Sequence, residues 1–179
     1  MKPQDFEFLS HLVKDRSGLV LTPEKTYLVE SRLTPLARKR GMENLEELIK
    51  AVRCNGDEPL LRDVTDAMTT NESFFFRDQK PFDQFRETVL PAFLESRAGT
   101  KKLRIWCAAA SSGQEPYSLA MCLQEAAESV KGWNIEIIGT DISREILEKA
   151  KSGIYSQFEV QRGLPIQLLV KYFDKVNEM

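Results

Sequence analysis

The chain has 179 residues, of which 42% are hydrophobic and 29% are charged, so it can bury the core of one medium domain or two small ones. Its formal net charge of -2 gives no overall attraction to nucleic acid or to anionic lipid, and an electrostatic partner must therefore meet a local patch. The first residues lack the pattern of a signal peptide, and no apolar run approaches membrane-spanning length. We therefore expect a cytoplasmic protein that neither binds nucleic acid nor inserts into a membrane.

The cysteines and the single histidine argue against three further classes of protein. Cys54, Cys107 and Cys122 are odd in number, widely spaced and unaccompanied by histidine ligands. This favours reduced packing residues over a disulfide framework or a zinc site, and we expect no metal. His11 is the only histidine and lies in a predicted helix far from the motifs below, which argues against a Ser-His-Asp hydrolase.

The first third of the chain carries helix signals and no convincing strand. A helix follows Pro3, and a second opens at Thr22-Pro23 and contains Pro35, which either kinks the helix or restarts it. Asn44 is a typical N-cap of a third helix, and Pro59 begins a fourth. The pattern predicts a small helical bundle over residues 1–68.

The remainder, residues 69–179, changes to an α/β pattern. An amphipathic helix interrupted by Pro91 precedes two short apolar runs, "LRIWCA" and "IEIIGTD", which are typical of buried strands. The helical segments "EPYSLAMCLQEAAESV" and "SREILEKAKSG" follow these strands in turn. Strand, helix, strand, helix predicts a parallel sheet covered by helices, as in a Rossmann-like fold.

The turns after the two strands have the features of a ligand site. In "CAAASSGQEPY" a loop of small residues precedes a helix N-terminus, although the dinucleotide pattern G-x-G-x-x-G and the phosphate-loop lysine are absent. The loop indicates either ligand binding or tight packing of helix on strand. Asp141, after the second strand, is placed to bind a ribose or to cap the next helix. An adenosine-bearing ligand without phosphates, such as S-adenosylmethionine, would reconcile these features.

A third motif, "TTNESFFFR", joins the two parts of the chain and ends in Arg77. Successive side chains diverge by about 100° on a helix and about 180° on a strand, so three adjacent phenylalanines cannot share one face. At least one ring must meet something other than the local core.

These motifs carry a resemblance. "TTNESFFFR", "WCAAASSGQEPYSLAM" and "GTDIS", in this order after a helical bundle, resemble the CheR family of chemotaxis receptor methyltransferases over essentially the whole chain. The resemblance implies an S-adenosylmethionine-dependent protein-glutamate O-methyltransferase that forms glutamate methyl esters on cytoplasmic receptor helices and releases S-adenosylhomocysteine. It also implies that the sheet is part of a methyltransferase domain.

The family's site residues carry over by position. The resemblance places cofactor contacts on Asn71, Ser73 and Arg77, the acid that holds the methionine ammonium group on Glu115, and the ribose-binding acid on Asp141. Arg77 is also the candidate catalytic residue, because its planar guanidinium can orient a carboxylate. An interdomain salt bridge is the alternative role for Arg77.

The helical part contains a basic segment, "RLTPLARKR", between Arg32 and Arg40. The resemblance implies that Arg32, Arg38, Lys39 and Arg40 dock against the acidic helices of a methyl-accepting chemotaxis receptor. A solvated helix face is the alternative interpretation.

Only two parallel strands are identifiable, fewer than such a methyltransferase sheet contains. We therefore expect the N-terminal part of a longer protein, and the unpaired sheet edge favours self-association of this chain. Two other functions stay open. One is a non-catalytic module, truncated or degenerate, that binds a receptor or a signalling partner. The other is methylation of a small molecule or, less readily, of nucleic acid.

Overall fold

The polypeptide divides between Thr70 and Asn71 into two units, each with its own hydrophobic core. The computed structural model describes residues 1–176. The first unit is helical and the second combines helices with a parallel sheet, which confirms the predicted helical bundle followed by an α/β domain. Within residues 1–176, no helix has both the length and the apolar character needed to cross a membrane.

Capping residues determine where helices of the first unit begin. As predicted, the Asn44 side chain accepts a hydrogen bond from the backbone N–H of Glu47 at 2.9 Å. Asp57, which was not predicted as a cap, accepts one from the backbone N–H of Leu60. Pro35 lies inside its helix, so the helix does not restart there. The elements are α1 (Pro3–Ser17), a 3₁₀ turn (Pro23–Lys25), α2 (Thr26–Lys39), α3 (Leu45–Asn55) and α4 (Glu58–Met68).

The first core forms where the apolar faces of these helices meet. Leu9, Val29, Leu48 and Val64, one from each helix, are fully buried in it. Arg32 supplies a polar contact at its edge, donating from Nη1 to the carbonyl oxygens of Met68 at 2.6 Å and Thr69 at 2.8 Å. These are carbonyls at the C-terminal end of α4, which have no partner within the helix.

The second unit begins with a helix that changes its winding before Pro91. Because proline has no backbone N–H, the regular bond to the preceding turn is lost. The adjacent Leu90 N–H bonds to the Phe85 carbonyl, which gives a π-helical turn over Phe85–Val89. The elements are α5 (Lys80–Gln84), this turn, α6 (Leu90–Ser96), β1 (Lys102–Ala108), α7 (Gln114–Glu125), β2 (Asn134–Thr140), α8 (Arg144–Ser152), α9 (Gln157–Gln161) and α10 (Ile166–Tyr172).

Strands β1 and β2 pair in parallel, with Leu103 opposite Ile135. The face that carries these two residues packs in one cluster with Leu123 of α7 and Leu90 of α6. The opposite face is polar and open: it carries the Arg104–Glu136 ion pair and Trp106, which is 70% exposed.

Helices α9 and α10 were not predicted. The sequence nevertheless contains a signal for the start of α9, because Ser156 and Glu159 form a capping box of the S-x-x-E type. The cysteine prediction also needs one correction. Cys107 and Cys122 are buried packing residues as expected, but Cys54 is exposed.

The three adjacent phenylalanines separate as their spacing requires. Phe75 and Phe76 are buried in a cluster within the second unit. The ring of Phe74 is half-buried and contacts two cations, with the guanidinium of Arg162 4.4 Å and that of Arg77 5.7 Å from its centroid. One ring thus meets charged groups while its neighbours form the core.

Gly163 is a position where we predict that only glycine fits. Its φ is +83°, and a Cβ there would collide with the carbonyl oxygen of Phe75. Gly132, in the same unit, has a φ of +77° but open space around it. Gly132→Ala should therefore cost about 1 kcal/mol from backbone strain alone. Gly163→Ala should cost about 3 kcal/mol or more, because overpacking adds to that strain.

Urea unfolding followed by tryptophan fluorescence measures both variants. The chain's two tryptophans, Trp106 and Trp133, both lie in the second unit, so the signal reports that unit. Equal losses of stability in the two variants would contradict the predicted collision.

Candidate functional site

The loop between β1 and α7, residues Ala109–Gly113, has an unusual backbone. Ala109 and Ser111 have φ values of 59° and 52°, and Gly113 has a φ of 93°. The left-handed region costs a non-glycine residue about 1–2 kcal/mol. Such conformations persist only where the surrounding structure imposes them, and they cluster at ligand sites.

Ser111 connects the loop to two other segments. Its backbone N–H donates to Asp141 Oδ2 at 2.9 Å, and its hydroxyl donates to the carbonyl oxygen of Asn71 at 2.6 Å. Ser111 itself is buried. The structure thus brings together the predicted site residues Asn71 and Asp141 at the carboxyl ends of the parallel strands.

Asp141 connects two loops and does not cap a helix. Its Oδ1 accepts the backbone N–H of Ser143 at 3.0 Å, while Ser143 itself caps α8 by accepting from Ile146. Each carboxylate oxygen of Asp141 therefore has one backbone donor. A carboxylate has about four acceptor positions, so the group can still accept hydrogen bonds from the two hydroxyls of a diol.

Glu115 lies in the first turn of α7, beside the end of β1, and is exposed. Burial, followed by the nearby Glu115 carboxylate, raises the pKa of the Cys107 thiol to about 12. The thiol therefore stays protonated. This agrees with a packing role for Cys107 and places the Glu115 carboxylate at the same end of the sheet as the loop.

Arg77 and Ser73 stand apart from these contacts. Arg77 is exposed, donates to the carbonyl oxygen of Glu72 at 3.2 Å and lies 4.0 Å from the carboxylate of Asp78. Ser73 is half-buried. Among the described residues, Arg77 has no hydrogen bond to the loop after β1, so its predicted role depends on a ligand.

Sequence reasoning missed two residues that hold the loop, Ser111 and Tyr155. The Tyr155 hydroxyl donates to the carbonyl oxygen of Ser112 at 2.6 Å, across 43 positions of the chain. Ser111 lay inside a loop already singled out for its small residues. No local pattern marks Tyr155, because its partner is remote in sequence.

Two models of known protein families match the chain. Residues 4–69 match the domain family described as CheR methyltransferase, all-alpha domain, and residues 71–179 match CheR methyltransferase, SAM binding domain. The chain belongs to the CheR methyltransferase family. This confirms the family resemblance of the sequence motifs.

Relatives of this CheR-family chain are named chemotaxis protein methyltransferases. One from Pseudomonas putida is 39% identical and one from Pseudomonas aeruginosa 40% identical, each alignment covering 95% of this chain and 62% of the relative. One from Escherichia coli is 34% identical over 94% of this chain and 56% of the relative. The chain thus spans about three fifths of the length of the curated relatives that it matches.

S-adenosylmethionine is the cofactor of the domain family to which residues 71–179 belong. The donor set of this CheR-family chain fits that molecule. Asp141 keeps acceptor positions suited to a ribose diol, and the exposed Glu115 carboxylate is suited to an ammonium group. The small residues of the loop Ala109–Gly113 allow close approach of backbone to a ligand.

The basic segment, residues 32–40, is not uniformly available to a partner. Arg32 is occupied at the end of α4, and Arg40 donates two hydrogen bonds to Asp63, at 2.6 and 2.8 Å. Lys39 is exposed. Arg38 is exposed, and no hydrogen bond or ion pair of its side chain is seen in the described part of the chain.

Asp141→Asn tests the connection between the loops in the absence of ligand. The oxygen of the asparagine amide can accept from the backbone N–H of Ser111 or from that of Ser143. Its NH₂ group would then face the other N–H, and two donors cannot bond to each other. We expect the second unit to lose about 1–2 kcal/mol of unfolding free energy, the cost of leaving a donor unpaired. Asp78→Asn is the matched control, since that side chain is 82% exposed and no hydrogen bond to it is seen among the described residues.

Urea unfolding by tryptophan fluorescence again gives the comparison. If Asp141→Asn is as stable as Asp78→Asn, the carboxylate does not hold the two loops together.

Proposed function

We propose that this CheR-family protein transfers a methyl group from S-adenosylmethionine to glutamate side chains on the cytoplasmic helices of chemoreceptors. The products are glutamate methyl esters and S-adenosylhomocysteine, and the reaction takes place in the cytoplasm. The observation that carries the proposal is the Ser111 connection, which gathers Asn71, Asp141 and the strained loop at one end of the sheet. The family membership and the relatives' names support it.

The chemistry requires positioning more than proton transfer. A glutamate side chain, with a reference pKa of about 4.3, is already ionised at neutral pH, so no general base is needed. The cofactor supplies a methyl group bound to a sulfonium, and attack by a carboxylate oxygen forms the ester bond as the carbon–sulfur bond breaks. The protein's contribution is to align the attacking oxygen and exclude water, effects that can supply several kcal/mol.

In this proposal the site residues divide the cofactor between them. Asp141 binds the ribose hydroxyls, and Glu115 binds the ammonium group. Asn71, Ser73 and Arg77 supply the remaining polar contacts. The exposed guanidinium of Arg77 also orients a carboxylate, which is the catalytic role that we assign to it.

A non-catalytic binding module receives less support. The loop before α7 holds two non-glycine residues, Ala109 and Ser111, at positive φ, and buried hydrogen bonds maintain it. A protein that acted only through its helical unit would have no evident use for this costly arrangement.

We further propose that the basic segment docks on a chemoreceptor. Arg38, Lys39 and Arg40 are all exposed at the C-terminal end of α2. We assign the main docking contact to Arg38, whose side chain has no bond to another described residue. Arg40 contributes less, because Asp63 already neutralises it, and Arg32 acts mainly on the fold of α4. Surface ion pairs of this kind guide association and are weakened by salt.

Self-association of the chain is a further proposal. Within the described residues the sheet has only β1 and β2, so each strand has one unpaired edge, and Trp106 is exposed on the open face. Exposed edges of this kind pair readily with another copy. The solution mass over a range of concentrations would measure the association.

Arg77→Ala should abolish methyl transfer without changing the fold. The variant removes the fork that aligns a carboxylate, so the rate should fall by about 100-fold or more. Transfer of labelled methyl groups to a receptor cytoplasmic segment measures the rate, and circular dichroism measures the helical content.

Arg97→Ala is the matched control. Arg97 also stacks on an aromatic ring, 4.8 Å from the centroid of Phe93, but it lies in the turn after α6. Full activity of Arg77→Ala, or equal losses in the two variants, would remove the assignment of Arg77.

For docking, Arg38→Glu should weaken receptor binding about tenfold at low salt, and the effect should shrink above about 0.15 M salt. Lys50→Glu makes the same charge change on an exposed residue of α3, outside the basic segment, and should alter binding little. Calorimetric titration with a receptor cytoplasmic segment measures both. Equal effects of the two reversals would show that net charge, and not this segment, controls binding.

A further inference from the structure

Tyr155 joins a buried aromatic cluster to the loop before α7. Its hydroxyl donates to the carbonyl oxygen of Ser112 at 2.6 Å. Its ring packs edge-to-face on Phe75, with centroids 5.0 Å apart, and on Phe173 at 6.1 Å. Because two rings fix its orientation, the direction of the hydroxyl is fixed as well.

The peptide group that accepts this bond is held at both ends. The carbonyl of Ser112 and the N–H of Gly113 belong to one planar unit. While the carbonyl accepts from Tyr155, the N–H donates to the carbonyl oxygen of Ala110 at 2.9 Å. The two bonds together determine how this plane is turned.

The packing around Gly113 is tight, and the Tyr155 hydroxyl is one of the groups that fill it. A Cβ on Gly113 would lie 3.0 Å from the Tyr155 hydroxyl oxygen and 3.2 Å from Cε2 of Tyr117. The φ of Gly113 is +93°, which also favours glycine. The close approach of the Tyr155 hydroxyl to the loop therefore requires glycine at position 113.

The phenol is suited to permanent donation. Burial, followed by the neighbouring Tyr117 and Glu159, raises the pKa of Tyr155 well above its ordinary value. The hydroxyl keeps its proton throughout the physiological range and remains a donor to Ser112.

We propose that Tyr155 is a positioning residue for cofactor binding. It holds the Ser112–Gly113 peptide in the orientation in which the loop Ala109–Gly113 binds the cofactor. This inference rests on the proposed function. Ser111 is held separately, by Asp141 and Asn71, so Tyr155 restrains the half of the loop that those bonds do not reach. Without the hydroxyl, the strained loop would populate other conformations and bind cofactor less tightly.

Tyr155→Phe removes the hydroxyl and keeps the ring. Tyr117→Phe is the matched control, because the Tyr117 ring packs edge-to-face on Tyr155, with centroids 6.1 Å apart, and its hydroxyl donates to the carbonyl oxygen of Ala150, outside the loop. Hydrogen–deuterium exchange on the full chain without cofactor compares the two variants. We expect exchange at residues 109–113 to rise about fivefold in Tyr155→Phe and to stay unchanged in Tyr117→Phe.

Calorimetric titration with S-adenosylhomocysteine then measures cofactor affinity. Tyr155→Phe should bind about threefold to tenfold more weakly than wild type, the loss expected for one hydrogen bond, and Tyr117→Phe should bind like wild type. A rise in exchange across β1 and α7 as well as the loop would indicate general destabilisation and would overturn the proposal. Unchanged loop exchange, or unchanged affinity despite faster loop exchange, would overturn it too.

The two measurements also separate this inference from the proposed function. If wild type binds no S-adenosylhomocysteine, the proposed function fails for this chain. The exchange comparison then decides alone whether Tyr155 holds the loop.

Discussion

The hydrogen bonds of Ser111 are the interaction on which the site depends. Parallel pairing brings the carboxyl ends of β1 and β2 together, and the Ala110 N–H extends the pairing by donating to Thr140 at 2.9 Å. Beyond that point the chains must separate into α7 and α8. The bond from Ser111 to Asp141 keeps them joined for one further step, and this places two loops beside each other. The candidate site lies there because the two segments that follow the strands stay close together before they separate.

The segment with the three phenylalanines, residues 69–77, also bonds to the elements around the loop Ala109–Gly113. The backbone N–H of Phe76 donates to the Ser118 hydroxyl at 3.0 Å, and that hydroxyl donates in turn to the carbonyl oxygen of Gln114. Both Ser118 and Gln114 are buried in α7. The motif is thus bonded to α7, the helix that begins at the loop Ala109–Gly113. Burial of Phe75 and Phe76 supplies the apolar stabilisation, and the segment before them can then present Asn71 to Ser111.

The elements that sequence could predict are those defined by local patterns. The Asn44 cap, the two apolar strands and the small-residue loop each have a signal within a few residues, and each was found where expected. The roles of Arg32 and Tyr155 could not be predicted in this way, since each bonds to backbone carbonyls more than thirty positions away. A run of positive charge likewise does not say which cations the fold itself will use.

The hydrogen bonds that restrain the loop Ala109–Gly113 come from widely separated parts of the second unit. Asn71 precedes α5, Asp141 follows β2, and Tyr155 follows α8. The loop therefore reaches its strained conformation only when the unit as a whole has folded, because no single neighbouring segment can hold it. A ligand that binds this conformation and not the unfolded chain stabilises the whole unit by mass action. If the proposed site binds the cofactor, the affinity for the cofactor and the stability of the unit are coupled through the same hydrogen bonds.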